Sequence, residues 1–295
     1  MNTATSSPIS RCLITGASSG LGAALARHLA RPGASLVLIA RDDLRLEAVA
    51  HDCRLAGAQV ETIALDVQQS EKLATRIAAV DAVHPINAVY VNAGVEASNR
   101  PDRADEELSD IIKQIRTNLE GAIATVQPLI EPMRIRGKGR IVLISSLAGL
   151  MPLCDQPTYG ATKAALIAYG EALRPLLSPQ RVTLTVACPG FMATGMTEMY
   201  HGWRPLEWSA EKSAAHIVAA AERGARRVAF PWPLFMLIRL GHMVPAFLRE
   251  SILQRLFSVE IASVARRKGD LPSNGSVSLK GEDADHSHKL IKPLP

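Results

Sequence analysis

Aromatic side chains are scarce in this sequence, at 4% of its 295 residues. The basic clusters at 134–140, 223–227 and 266–268 have no aromatics interleaved with them. A stacking platform for nucleic-acid bases is therefore not expected. Cysteine is also sparse. Cys12, Cys53, Cys154 and Cys188 show neither CxxC nor metal-ligand spacing, so no metal site and no disulfide framework is expected. Cys12 and Cys188 fall in or at the end of apolar runs, where buried free thiols are the default, and this suits a reducing, cytoplasmic setting. No run reaches about 18 uninterrupted apolar residues, so no transmembrane helix is expected. Residues 2–7 are polar and lack the charged and apolar regions of a signal peptide. No internal repeat and no composition break appears before about residue 231.

What the sequence does have is alternation. Apolar runs at 11–15, 35–40, 60–65, 87–91, 139–145, 182–187 and 227–230 alternate with helical patterns at 20–30, 43–56, 70–82, 104–118, 121–136, 157–177 and 210–223. The helical stretches at 104–118 and 121–136 read as two helices or one long bent one. Nearly continuous apolar strands separated by helices imply a parallel sheet covered on both faces. The expected fold is α/β: one Rossmann-type doubly wound domain over 9–230 with seven parallel strands. A flexible N-terminus (1–8), an apolar helical extension (231–264) and a disordered Gly/Ser/Asp/Lys/Pro-rich tail (265–295) complete the expected organisation. The net charge of +5 suits a phosphorylated cofactor or an anionic surface.

Three stretches carry chemistry. The first strand runs into Gly16-Ala17-Ser18-Ser19-Gly20-Leu21-Gly22 and then a helix. Glycines at a strand-to-helix turn let backbone approach a pyrophosphate, and the helix N-terminus offers free N–H groups. The second strand ends at Arg41-Asp42-Asp43. A guanidinium at this strand end suits the 2′-phosphate of NADP, while Asp42 and Asp43 read as caps of the next helix. Third, Ser146 closes an apolar strand, and Tyr159 and Lys163 follow four residues apart on a helix, on one face. An ammonium beside a phenol favours the phenolate, which would bring the phenol towards neutrality and fit it for proton transfer.

With Thr15–Gly22, Asp66-Val67, Asn92-Ala93-Gly94, Asn118, Ser146, Tyr159-x-x-x-Lys163, Pro189-Gly190 and Thr194 all present in order, the chain resembles the short-chain dehydrogenase/reductase family over roughly 9–230. Val91, where that family often has a first asparagine, is a minor departure. The resemblance implies that Gly16, Ser18, Ser19, Gly20, Leu21 and Gly22 form the turn at the cofactor phosphates. It implies that Asp66 and Val67 hold the adenine, that Asn92, Ala93 and Gly94 line the adenosine ribose side, and that Pro189, Gly190 and Thr194 hold the nicotinamide. Asn118, Ser146, Tyr159 and Lys163 would form a catalytic tetrad. In it Tyr159 is the general acid/base, Lys163 lowers its pKa, Ser146 stabilises the oxyanion and Asn118 holds a relay water. The implied activity is NADP(H)-dependent interconversion of a carbonyl and a secondary alcohol, with NAD(H) the less favoured cofactor. A catalytically weak cofactor-binding scaffold or sensor is the alternative of a different class, and the intact tetrad argues against it.

Substrate identity is thinly encoded. Phe191, Met192, Met196, Met199, Tyr200, Trp203 and Trp208, with Leu150, Met151 and Leu153, read as an adaptable apolar wall or as ordinary packing. An apolar or amphipathic ketone, aldehyde or alcohol is expected. Small apolar faces on the 121–136 and 157–177 helices imply, by resemblance, a homodimer or homotetramer. Segment 231–257 pairs Trp232, Phe235, Met236, Leu237, Ile238, Phe247 and Leu248 with Arg239, Arg249 and Arg255. It is expected to form one or two amphipathic helices, broken near 245, that extend the apolar wall of the substrate site and touch a membrane surface, or else are buried against a neighbouring subunit.

Overall fold

The computed structural model describes residues 11–97, 106–151, 153, 156–193, 204–245 and 248. Seven parallel strands form one sheet: β1 (Arg11–Thr15), β2 (Ser35–Ala40), β3 (Gln59–Ala64), β4 (Ala88–Val91), β5 (Gly139–Ile144), β6 (Val182–Pro189) and β9 (Arg227–Phe230). Their order across the sheet is β3-β2-β1-β4-β5-β6-β9. A two-residue pair that the sequence pattern did not foreshadow, β7 (Met192–Ala193) with β8 (Trp208–Ser209), lies apart from it.

Successive side chains of a strand point to opposite faces, and both faces here are apolar. Cys12, Ile14, Leu36 and Leu38 pack towards α1 (Gly20–Leu29), α2 (Asp43–Leu55) and α7 (Ala210–Glu222). Leu13, Val37, Ile39 and Ile141 pack towards α3 (Ser70–Val83), α5 (Gly121–Arg136) and α6 (Pro157–Leu177). One polar pair is set into this second layer. The buried Asp81 carboxylate on α3 accepts from Arg136 at 2.7 and 3.0 Å and from the Ile86 amide at 2.8 Å.

The stretch after β4 resolves the expectation of two helices or one bent one. Helix α4 (Leu108–Ile115) passes through a π-helical turn (Arg116–Glu120) directly into α5. Gly121 opens α5 because a Cβ there would lie 2.9 Å from the Val67 carbonyl oxygen. After β9, helix α8 (Trp232–Gly241) buries Leu234 and Ile238 and exposes Trp232, Leu237 and Leu240. It ends at Gly241, ahead of the expected break near 245. The rest of that segment, apart from residues up to 245 and Leu248, lies outside the described residues, as do 1–8 and the tail.

The chain moves from β1 outwards through β2 and β3, then returns to β4 on the other side of β1. Where neighbouring connections diverge like this, a crevice opens beyond the carboxyl ends of the strands.

Candidate active site

That crevice is a cavity of about 520 Å³. Its floor is held by a short bonding set between the ends of β1 and β4. The buried Thr15 hydroxyl accepts from the Asn92 and Ala93 amides at 3.1 and 3.2 Å, and the Asn92 side chain donates to the Thr15 carbonyl at 3.0 Å. Gly16 adopts φ +67°, the left-handed region that glycine tolerates. At Gly22 a Cβ would lie 2.0 Å from the Gly16 carbonyl oxygen, so the turn closes on α1 only with glycine. Ser18, Ser19, Gly20 and Leu21 line the cavity, while Gly22 supports the turn from behind.

At the end beside β2 and β3, Arg41, Asp42, Asp66 and Val67 line the wall, joined by Arg45. Asp42 is the N-cap of α2, its Oδ1 accepting from the Arg45 amide at 3.0 Å; Asp43 is already the first helical residue. Arg41 stands 3.6 Å from the Asp66 carboxylate and is half exposed. Arg45 is a second cation that sequence reading missed. Its signal was present, one helical turn beyond the strand end, but only the fold brings it to the same wall.

At the opposite end, Ser145, Ser146, Tyr159, Lys163, Pro189, Gly190 and Met192 line the cavity, with Gly94 and Val95 between the two ends. Ser146 is extended at the end of β5, and its Oγ accepts from the Ala148 amide at 3.1 Å. Gly149 lets this turn press on α6, since a Cβ there would lie 2.6 Å from the Lys163 carbonyl carbon. The Ser145 hydroxyl donates to the Lys163 carbonyl at 2.7 Å, a second tie between β5 and α6. Lys163 is buried, its ammonium donates to the Ile144 carbonyl at 3.0 Å, and it stands 5.6 Å from the centroid of the Tyr159 ring.

Electrostatically the pair departs from expectation. Burial pushes the Tyr159 phenol up, Glu96 adds to the rise, and a hydrogen bond with Ser146 opposes it. The lowering expected from Lys163 is not the net direction in this environment. Desolvation falls on the lysine as well and brings it down to about 8, with Glu96 and Cys188 favouring its charged form.

Asn118 lies within the π-helical turn, fully buried. Its side chain accepts from the Val95 amide at 2.7 Å and donates to the Val95 carbonyl at 2.8 Å and the Thr162 hydroxyl at 3.1 Å. The side-chain amide is thus committed to clamping the loop after β4. Gly94 keeps the gap beside it, since a Cβ there would be 3.3 Å from Lys163 Nζ and 3.4 Å from Asn118 Oδ1.

Other expected residues fall elsewhere. Thr194, Met196, Met199, Tyr200 and Trp203 lie outside the described residues. Trp208 belongs to a ring cluster rather than to the cavity wall, 4.8 Å from Phe230 and 5.4 Å from His216, with the Lys212 ammonium over its ring. Cys12, Cys53 and Cys188 are buried and free.

A sequence model of the short chain dehydrogenase family matches residues 10–204. The chain is 34% identical over 246 residues to an uncharacterized oxidoreductase of Myxococcus xanthus, covering 83% of this chain and 96% of that protein. It is 37% identical over 187 residues to a ketoacyl reductase of Nostoc, covering 63% and 64% of the two chains. Among solved structures, a short-chain dehydrogenase from Sphingobium yanoikuyae in complex with NADPH superposes with a TM-score of 0.70 at 27% identity, over 80% of this chain and 96% of that one. A cleft at the switch point of a parallel sheet, a glycine turn at one end and a Ser-Tyr-Lys group at the other coincide with these matches: the chain belongs to the short-chain dehydrogenase family.

Proposed function

We propose that this protein is an NADP(H)-dependent oxidoreductase that interconverts a carbonyl and a secondary alcohol on an apolar or amphipathic substrate. One observation carries the reading: Ser146, Tyr159 and Lys163 converge on the same cavity whose other end holds the glycine turn and two arginines. The turn between Gly16 and Gly22 is a cradle that a Cβ would fill, which fits backbone approach to a pyrophosphate. Arg41 and Arg45 fit an extra phosphate, which only the phosphorylated dinucleotide carries. The NADPH complex of the Sphingobium relative supports the same choice. When bound, the nicotinamide would supply or accept the hydride, with Pro189 and Gly190 beside it.

The chain's own residues handle the proton. In the reducing direction the Tyr159 hydroxyl donates its proton to the carbonyl oxygen, while the Ser146 hydroxyl donates a hydrogen bond to that same oxygen as charge develops. A phenol held protonated by its surroundings is ready for this acid role. Lys163 stabilises the phenolate left behind. Asn118 acts through Val95 and Thr162, fixing the loop after β4 against α6. Met192 supplies apolar surface on the cavity wall, whereas Leu150 and Met151, expected there from the sequence, pack in the core instead.

For assembly, Leu108, Ile112 and Ile115 form an exposed stripe at helical spacing on α4. This stripe supports a homo-oligomer, and sedimentation at the monomer mass would contradict it. The activity is tested with a panel of apolar ketones, aldehydes and secondary alcohols followed by NADPH absorbance. Turnover with NADPH preferred over NADH is expected. Tight NADPH binding with no turnover across the panel would indicate a scaffold instead.

A further inference from the structure

Two glutamates outside the expected tetrad flank the first turn of α6, the turn that carries Tyr159. Glu96 follows Val95 in the loop after β4, and its Oε1 accepts from Nε2 of Gln156, the buried N-cap residue of α6. Glu106, just before α4, accepts from the Thr158 amide at 3.1 Å, a carboxylate on the free N–H groups of a helix N-terminus. Gln114 links the two ends. Its Nε2 donates to Glu106 at 3.2 Å and its Oε1 accepts from the Ala97 amide at 3.3 Å. Loop and helix are thus braced at Val95 by Asn118, at Ala97 by Gln114 and at Glu96 by Gln156.

The brace has a chemical consequence. Gln156 is buried, so its amide nitrogen needs an acceptor, and Glu96 satisfies it while holding a carboxylate within electrostatic reach of both Tyr159 and Lys163. We propose that Glu96 is a positioning residue of this site: bridged by Gln156, it fixes the turn bearing Tyr159 and holds a carboxylate that favours the charged form of Lys163. Among the described residues, the groups facing the pair are Glu96 from the loop after β4, Ser146 from the end of β5 and Cys188 from β6, and Glu96 is the carboxylate of that set. Its charge opposes ionisation of the phenol and supports the ammonium of Lys163.

The test uses the full-length protein and Glu96→Gln, whose amide oxygen still accepts from Gln156 while the charge is gone. Lys163 is titrated by NMR of its side-chain carbon, assigned with Lys163→Arg. Glu96→Gln is expected to lower the Lys163 midpoint by about half a unit or more; identical midpoints overturn the proposal. This readout needs no turnover, so it stands apart from the oxidoreductase reading.

Discussion

The Lys163 ammonium donates to the Ile144 carbonyl at 3.0 Å and stands 5.6 Å from the Tyr159 ring centroid, joining the end of β5 to the helix that carries the phenol. Burial brings this lysine down to about 8 from its ordinary 10.5. It therefore carries its proton below about pH 8 and loses it above. If the ammonium stabilises the Tyr159 phenolate, kcat/KM for carbonyl reduction holds on the acid side and falls as pH rises through this value. A profile flat to pH 10, in a protein still folded there, would remove Lys163 from that role.

Arg41 and Arg45 share one wall of the cavity. Replacing Arg41 by Ala is expected to weaken NADPH binding by about 1.5–3 kcal/mol, the range of a charged hydrogen bond, and to leave NADH nearly unaffected. Its ion pair with Asp66 is half exposed at 3.6 Å, so folding stability should change by less than about 1 kcal/mol. Arg45→Ala should act in the same direction. Fluorescence titration of both cofactors checks this, and equal losses for NADPH and NADH would contradict it.

Gly149 sets the distance between the Ser146 turn and α6. Gly149→Ala should push that turn away and lower kcat by about 10–100-fold, the cost of misplacing a reacting group by a fraction of an ångström to an ångström. NADPH affinity should change little, because the glycine turn and the arginines lie at the other end. Steady-state kinetics with a parallel binding titration separates the two effects.

Asp81 and Arg136 form a buried pair far from the cavity chemistry. Removing the carboxylate leaves the Ile86 amide without its acceptor and the guanidinium with the Ile86 carbonyl in place of a counter-charge. Asp81→Ala should cost about 3–5 kcal/mol of stability, measured by denaturant unfolding. A loss below about 1 kcal/mol would mean that water replaces the carboxylate there.

Most of the sheet was legible because its signal is local. Both β1 and β2 are short apolar runs closed by glycine or charge, and α6 opens with Pro157 at its first position, where proline is tolerated. The glycine turn and the spacing of Tyr159 and Lys163 were equally local. What was not legible depends on distant partners. Thr15 reads as the last residue of a strand, yet its hydroxyl holds the loop after β4. Glu96 and Gln156 are 60 residues apart and meet only in the fold. Trp208 reads as apolar wall or as ordinary packing, and only the fold decides for packing, with its ring centroid 4.8 Å from that of Phe230. The direction of the Tyr159 shift was missed for the same reason. The i,i+4 spacing announces an ammonium near a phenol, whereas desolvation of both is a property of the packed site.

The central claim is that Tyr159 transfers the proton in an NADP(H)-dependent carbonyl reduction. Tyr159→Phe removes one hydroxyl and leaves the ring. Single-turnover oxidation of bound NADPH with a turned-over ketone measures the chemical step directly. The variant should bind NADPH within about twofold of the wild type and lose at least about 100-fold in the chemical step, the contribution of a positioned general acid. Equal rates for the two proteins would contradict the account.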